Sequence, residues 1–171
     1  VLKYRLTDTC FKNYGKIPLQ DVQQAIAYVR RNAKKYHVDE AKVGVMGFSA
    51  GGHLAAMAST HYLFPQINAG TTSLRPDFTI LAYPVISFLD SLTSRNSASR
   101  KNLLRTDLNE QNKRWFSAEL FVNKQTPPSY IVHAANDSTA LVANSIAWFN
   151  ALNRNKVAAE LQIFQKGGHG F

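Results

Sequence analysis

Three side chains in this sequence have the types that acyl transfer needs, and each comes after an apolar run. Ser49 stands in Gly47-Phe48-Ser49-Ala50-Gly51, between the apolar residues Val43–Met46 and the small-residue run Ala50–Ala58. In a G-x-S-x-G turn the chain passes from strand to helix so tightly that side chains at Gly47 and Gly51 are expected to collide. The strained turn lifts the serine hydroxyl clear of the sheet. The backbone N–H of Ala50, at the positive end of the new helix, then faces the place where an oxyanion forms. A glycine-rich turn with a serine N-cap has a similar look, but a strand before the motif and a helix after it favour the nucleophile.

A serine hydroxyl is too weak an acid to attack a carbonyl unaided at neutral pH. It needs a base that takes its proton and later returns it to the leaving alcohol. His169, in Gly167-Gly168-His169-Gly170-Phe171, is the expected base, the glycines letting its loop carry the ring over the serine. Asp137 is the expected acid, holding the imidazole tautomer and stabilising the imidazolium. Asn136 and Asp77 are its nearest competitors, and Asp90 a weaker one. His53 falls one helical turn after Ser49, along the helix and away from the hydroxyl, and reads as structural. His133 lies inside a strand and reads as a satisfied core or near-surface histidine.

The elements that must position these residues follow from periodicity. Val1–Leu6 predicts a short strand and Thr7–Lys16 a polar loop. Pro18 opens a helix with Val22, Ala25, Ile26, Val29 and Ala33 on its inward face. Lys42–Phe48, Phe78–Tyr83, Tyr130–His133 and Leu161–Phe164 read as strands, Pro84 ending the second. Asn144–Leu152 is an amphipathic helix with Ile146, Phe149 and Leu152 inward and Trp148 adding to that face. Residues 65–76 are loop. Ser87–Asn112 is the least regular stretch, with few apolar anchors, so residues 87–125 are expected to form a lid or insertion over the site. Trp115, Phe116, Leu120 and Phe121 form an aromatic cluster that could dock it, though such clusters more often serve packing. Alternating strands and helices predict a mostly parallel α/β sheet with helices on both faces, with ligands handled at the carboxyl ends of its strands.

The whole-chain properties are permissive. At 171 residues, with 45% hydrophobic and 18% charged content, the sequence predicts one folded domain with a real core. No apolar stretch approaches the roughly 20 residues of a membrane span. The net charge of +9 is spread over helix faces such as Arg30, Arg31, Lys34 and Lys35 and over residues 95–114. With no nucleic-acid motif present, nucleic acid is not an expected partner. The lone cysteine, Cys10, cannot form an internal disulfide.

Several segments together resemble the acetyl esterase and acetylxylan esterase branch of the α/β-hydrolases. They are Pro18-Leu19-Gln20-Asp21-Val22-Gln23-Gln24-Ala25, Val45-Met46-Gly47-Phe48-Ser49-Ala50-Gly51-Gly52-His53-Leu54-Ala55, Arg75-Pro76-Asp77-Phe78, Thr126-Pro127-Pro128 and Gly167-Gly168-His169-Gly170-Phe171. The order Ser, Asp, His is the one that fold imposes. The resemblance implies deacetylation of acetylated sugars or xylan fragments by Ser49, His169 and Asp137 with the Ala50 N–H, and without metal or organic cofactor. It also implies secretion or a periplasmic location. A homo-oligomer is possible. A peptidase or longer-chain lipase on the same scaffold and a non-catalytic binding module are the alternatives, since the triad does not encode the leaving group.

The sequence departs from that branch at two places. The usual Asp-Asp pair reads Asn136-Asp137, with Ser138-Thr139-Ala140-Leu141 after it, and the His-Gly-Gly-Gly segment that supplies further oxyanion donors is absent. The expectation is therefore a C-terminal catalytic portion of a longer polypeptide, without the family's last helix. The Val43–Met46 strand should present an open edge, and the isolated portion should hydrolyse esters poorly, since one oxyanion donor is worth about 10²–10³ in rate.

Overall fold

The computed structural model describes residues 1–6, 14–92, 97–105 and 107–171, so Cys10 and most of the expected Thr7–Lys16 loop lie outside the described residues. The elements in chain order are α1 (Ile17–Arg31), α2 (Ala33–Tyr36), β1 (Val45–Phe48), α3 (Ser49–Thr60), β2 (Thr79–Ala82), α4 (Ala98–Leu104), α5 (Glu110–Trp115), β3 (Ser129–Ala134), α6 (Ala143–Arg154) and β4 (Ala159–Phe164). The four strands form one parallel sheet in the order β1-β2-β3-β4. Parallel neighbours all end on the same side, so the chain leaves β1, β3 and β4 at one rim, where Ser49, Asp137 and His169 follow.

The core is continuous. Leu81 on β2, Ile131 on β3 and Trp148 and Leu152 on α6 are fully buried, and they join Leu19, Val22 and Ile26 of α1 and Leu54–Ala58 of α3. The alanines of α3 let that helix lie close against β1 and β2, where a larger side chain would hold it away. Two polar pairings inside this core stand out. Gln23 of α1 donates to the carbonyl of His61 and accepts from the N–H of Gln66. Ser59 of α3 bonds Thr79 of β2 at 2.6 Å. Both pairs satisfy groups that would otherwise be costly to bury.

Several expectations change. Val1–Leu6 is not a strand: among the described residues it has no strand partner, and Arg5 instead ties it to α1 through Asp21, its backbone N–H reaching Oδ2 at 2.7 Å. β1 is accordingly an edge strand, with Met46 58% and Phe48 50% exposed. A groove of about 700 Å³ runs along it, lined by Ala25, Ile26 and Val29 of α1 and by Gly51 of α3. That is why Ala25 and Val29, expected inward, are only half buried. On α6, Ile146 is exposed and the N-terminal turn buries Asn144 and Ser145 instead, Asn144 accepting from the N–H of Ile86 and Ser145 bonding His133 of β3.

The stretch expected to be irregular is regular over about half of its described length. It contains α4 and α5, each capped by a side chain, Ser97 and Asn109 respectively. It is also well anchored, since Phe88, Leu104, Phe116 and Ala118 are buried in the core. Residues 93–96 and 106 of that stretch lie outside the described residues. The expected aromatic cluster divides. Trp115 and Phe121 pack on His61 with centroids 4.7 and 4.4 Å away, Phe116 turns towards Phe88, and Leu120 is exposed.

Candidate active site

The turn from β1 into α3 is as tight as its glycines suggest, although not at both of the expected positions. A Cβ on Gly47 would stand 2.1 Å from the carbonyl oxygen of Gly51, while one on Gly51 would meet nothing within 4 Å because that face looks into the open groove. The second tight glycine is Gly52, where a Cβ would come within 2.8 Å of the Pro84 ring. Ser49 itself sits at φ 51°, the left-handed region that a non-glycine residue enters only where its surroundings force it. Its carbonyl accepts from the N–H of Val85, which ties the turn to the segment leaving β2. The N–H of Ala50 belongs to the first turn of α3 and so lacks an intrahelical partner.

The three residues singled out by their chemistry meet. The Oγ of Ser49 lies 2.8 Å from Nε2 of His169, and Nδ1 of His169 lies 2.7 Å from Oδ2 of Asp137. Asp137 is 3% exposed. Burial opposes its ionisation, but the bond from His169, the N–H groups of Ala140 and Thr139 and the nearby imidazole outweigh that and hold its carboxyl below the usual range. Its Oδ1 takes the two N–H bonds, which leaves Oδ2 aimed at the ring.

The competitors have other partners. Asp77 lies at the amino end of β2, on the far side of the sheet from Ser49, where it bonds Arg30 and the N–H of Val43. Asp90 pairs with Arg100 and Lys113. Asn136 turns its amide oxygen to the N–H groups of Gly167 and Gly168, at 3.0 and 2.9 Å. His53 is buried against Phe88, with ring centroids 4.5 Å apart, and its Nε2 reaches the carbonyl of Phe116 at 2.7 Å. Burial lowers its pKa to about 4, the Phe116 carbonyl opposing only in part.

Two residues take places beside the site that the sequence does not signal. His133 is fully buried, with Nδ1 bonded to Ser145 and Nε2 shared between the carbonyl of Ala140 and Oδ2 of Asp137. Tyr83, at φ 37°, lays its ring edge-on to the imidazole of His169 at 4.9 Å. Its position after an apolar strand and before Pro84 is visible in the sequence; its strained backbone is not. Among the described residues, no group of three or more His, Cys, Asp or Glu side chains is arranged to hold a metal ion. Nor is any helix among them long and apolar enough to cross a membrane.

A parallel sheet with a strained serine turn at a strand exit, followed by acid and imidazole loops in that order, is the architecture of the α/β-hydrolases. Within that class the chain belongs to the BD-FAE family, whose model matches residues 2–152. It is 35% identical over 175 residues to endo-1,4-beta-xylanase B of Butyrivibrio fibrisolvens, covering 99% of this chain and 27% of that protein. It is 33% identical over 159 residues to an acetylxylan esterase of Xylanibacter ruminicola, covering 91% of this chain and 31% of that protein. Among solved structures, an acetyl ester-xyloside bifunctional hydrolase from Caldicellulosiruptor lactoaceticus superposes with a TM-score of 0.86 at 35% identity, over 98% of this chain and 61% of that one. The chain thus spans less than a third of these two curated relatives and about three fifths of the solved structure.

Proposed function

We propose that the protein is a serine carboxylic ester hydrolase that removes short acyl groups, acetyl above all, from carbohydrate such as xylan or xylo-oligosaccharides. The observation that carries this reading is the unbroken chain of hydrogen bonds from Ser49 through His169 to Asp137. In the first half-reaction His169 Nε2 takes the hydroxyl proton as Oγ attacks the ester carbonyl. The N–H of Ala50 stabilises the oxyanion, and Asp137 the imidazolium. The proton then passes to the departing sugar hydroxyl, leaving an acyl-serine that water clears by the same steps in reverse roles. The names of the relatives, an acetylxylan esterase and an acetyl ester-xyloside hydrolase, support acetylated xylan fragments as the substrate class.

One observation favours a longer acyl group. Beside Ala50 lies an apolar pocket of about 210 Å³, bounded by Leu54, Met57, Phe88 and Phe116 and roofed by Ala98, Ser99 and Leu103 of α4. That is more room than a two-carbon acyl group fills. In this reading α4, and with it the 87–125 stretch, acts as the cover of the acyl site.

The test is covalent and kinetic together. A fluorophosphonate should label the full-length protein at Ser49 and nowhere else, and Ser49→Ala should abolish both labelling and acetate release from acetylated xylo-oligosaccharides. Unlabelled Ser49 in a folded protein would point to the non-catalytic binding module. Turnover of p-nitrophenyl acetate against butanoate, octanoate and a proline amide then ranks the acyl lengths and separates an esterase from a peptidase.

A further inference from the structure

We infer that Asn136 is a positioning residue for His169, an inference that rests on the triad reading above. The geometry of the sheet creates a problem that this residue solves. Ser49 leaves β1 and the histidine loop leaves β4, at opposite edges of a four-stranded sheet. Three strand spacings of roughly 4.8 Å put those exits about 14 Å apart. The loop after Phe164 must therefore turn back across the ends of β3 and β2 before Nε2 of His169 can stand 2.8 Å from Ser49 Oγ.

The end of the loop is held by Phe171, whose ring packs on Tyr83 and Phe164 at 5.6 and 5.7 Å, but its glycines add little of their own. Gly168 and Gly170 have φ of 70° and 85°, and a Cβ on either would meet nothing within 4 Å. Asn136 stands at the exit of β3, the first strand the loop crosses on that path. The N–H of its neighbour Ala135 bonds the carbonyl of Phe164 at 2.7 Å, which carries the pairing of β3 and β4 one residue past the strand. From that fixed point the Asn136 oxygen accepts from both Gly167 and Gly168, at 3.0 and 2.9 Å. Among the described residues, no other side chain bonds the backbone of 167–170. The next residue, Asp137, orients the ring through Nδ1. Of these two consecutive residues, one thus fixes where the loop passes and the other which way the imidazole faces.

An amide suits this place for an electrostatic reason. Its oxygen accepts two N–H groups as a carboxylate would, without adding a second negative charge beside Asp137. The titratable groups that face the junction are Asp137 and His169, with His133 behind the carboxylate. A charge at position 136 would make the imidazole harder to deprotonate.

The experiment uses the full-length protein and p-nitrophenyl acetate. Because residue 136 is exposed, its variants should fold, which thermal unfolding checks. Asn136→Leu, which removes the acceptor, should lower kcat by about 10–10², the scale expected for a misplaced catalytic group, with KM within about twofold. Asn136→Asp, which keeps the acceptor, should recover most of kcat and move the acid limb of the pH–rate profile to higher pH. Wild-type kcat in the leucine variant, equal loss in both variants, or a loss of kcat matched by loss of folded protein each overturns the inference. Ser49→Ala, run alongside, separates the two claims: if it keeps full activity the triad reading fails, whereas if it is inactive and Asn136→Leu is normal only the positioning role falls.

Discussion

His133 and His169 meet at one oxygen: Oδ2 of Asp137 lies 3.2 Å from Nε2 of the first and 2.7 Å from Nδ1 of the second. The two imidazoles differ in what else they touch. His169 reaches outward to Ser49, while His133 is enclosed, accepting from the Ser145 hydroxyl at Nδ1 and donating from Nε2 towards Ala140 and Asp137. His133→Leu should therefore leave the Ser145 hydroxyl and the Ala140 carbonyl buried without their partner. At about 2 kcal/mol for such groups, the melting temperature should fall by about 4–8 °C. Thermal unfolding at neutral pH checks this, and an unchanged midpoint would mean that the bonds to His133 contribute nothing net.

The two glycines flanking the nucleophile should part company on substitution. A methyl on Gly47 would have to occupy space 2.1 Å from a backbone carbonyl oxygen, and backbone cannot move aside without unwinding the first turn of α3. A methyl on Gly51 meets open space inside a helix, where alanine is favoured over glycine by about 0.5–1 kcal/mol. Gly47→Ala should give insoluble or unfolded protein, and Gly51→Ala a protein at least as stable as the parent in urea unfolding. Equal behaviour of the two would contradict the geometry of this turn.

What can be read from the residues alone divides along a physical line. The strands around Ile80 and Ile131 are legible because a buried parallel strand reads as a mostly apolar run, and the edge strands around Val45 and Leu161, although largely exposed, still carry enough apolar residues to stand out. Ser49, Asp137 and His169 are legible because each follows such a run at the rim where ligands are handled. Val1–Leu6 carries a strand's composition, but a strand also needs a neighbour, and partnership is not written in the segment itself. Ile146 and Ala25 mislead for a related cause: helical periodicity gives an apolar stripe, while neighbouring elements decide which part of the stripe is covered. Asn136 reads in the sequence as a rival to Asp137 and as a departure from the usual Asp-Asp pair, not as a loop anchor. Its role depends on the distance between two strand exits, which no local pattern contains.

Acid should weaken the fold through two imidazoles that take no part in the triad. His53 and His61 are buried, and their pKa values fall to about 4, by desolvation first and, for His61, also by the charges of His53 and Lys16, with hydrogen bonds opposing in part. In the unfolded chain they titrate near 6.5. Between those limits the unfolded state binds more protons than the native one, so stability rises with pH across the window and is lost as pH falls from about 6.5 towards 4. Each imidazole contributes roughly 3 kcal/mol at the acid end. His61→Phe, which keeps the ring among Phe64, Trp115 and Phe121, should flatten the fall in melting temperature between pH 6.5 and 4 relative to the parent. A parallel pair of curves would exclude His61 as a source of acid sensitivity.

Glu119 should act in the opposite sense. Both of its carboxylate oxygens are buried without a hydrogen bond of normal geometry, and that burial raises its pKa, with the Ser87 hydroxyl and its own backbone offsetting only part. A carboxyl whose folded pKa lies above its unfolded value binds more protons in the native state, so its contribution is most favourable at low pH. That contribution declines as pH rises through the folded pKa. Glu119→Gln removes the charge and keeps the shape. It should raise the melting temperature at pH 7–8 by about 2–4 °C, the effect of ~1 kcal/mol in a domain of this size, and the gain should shrink towards pH 4, where the parent's carboxyl is itself protonated. A gain that stays constant across that range would place the cost in packing and not in the buried charge.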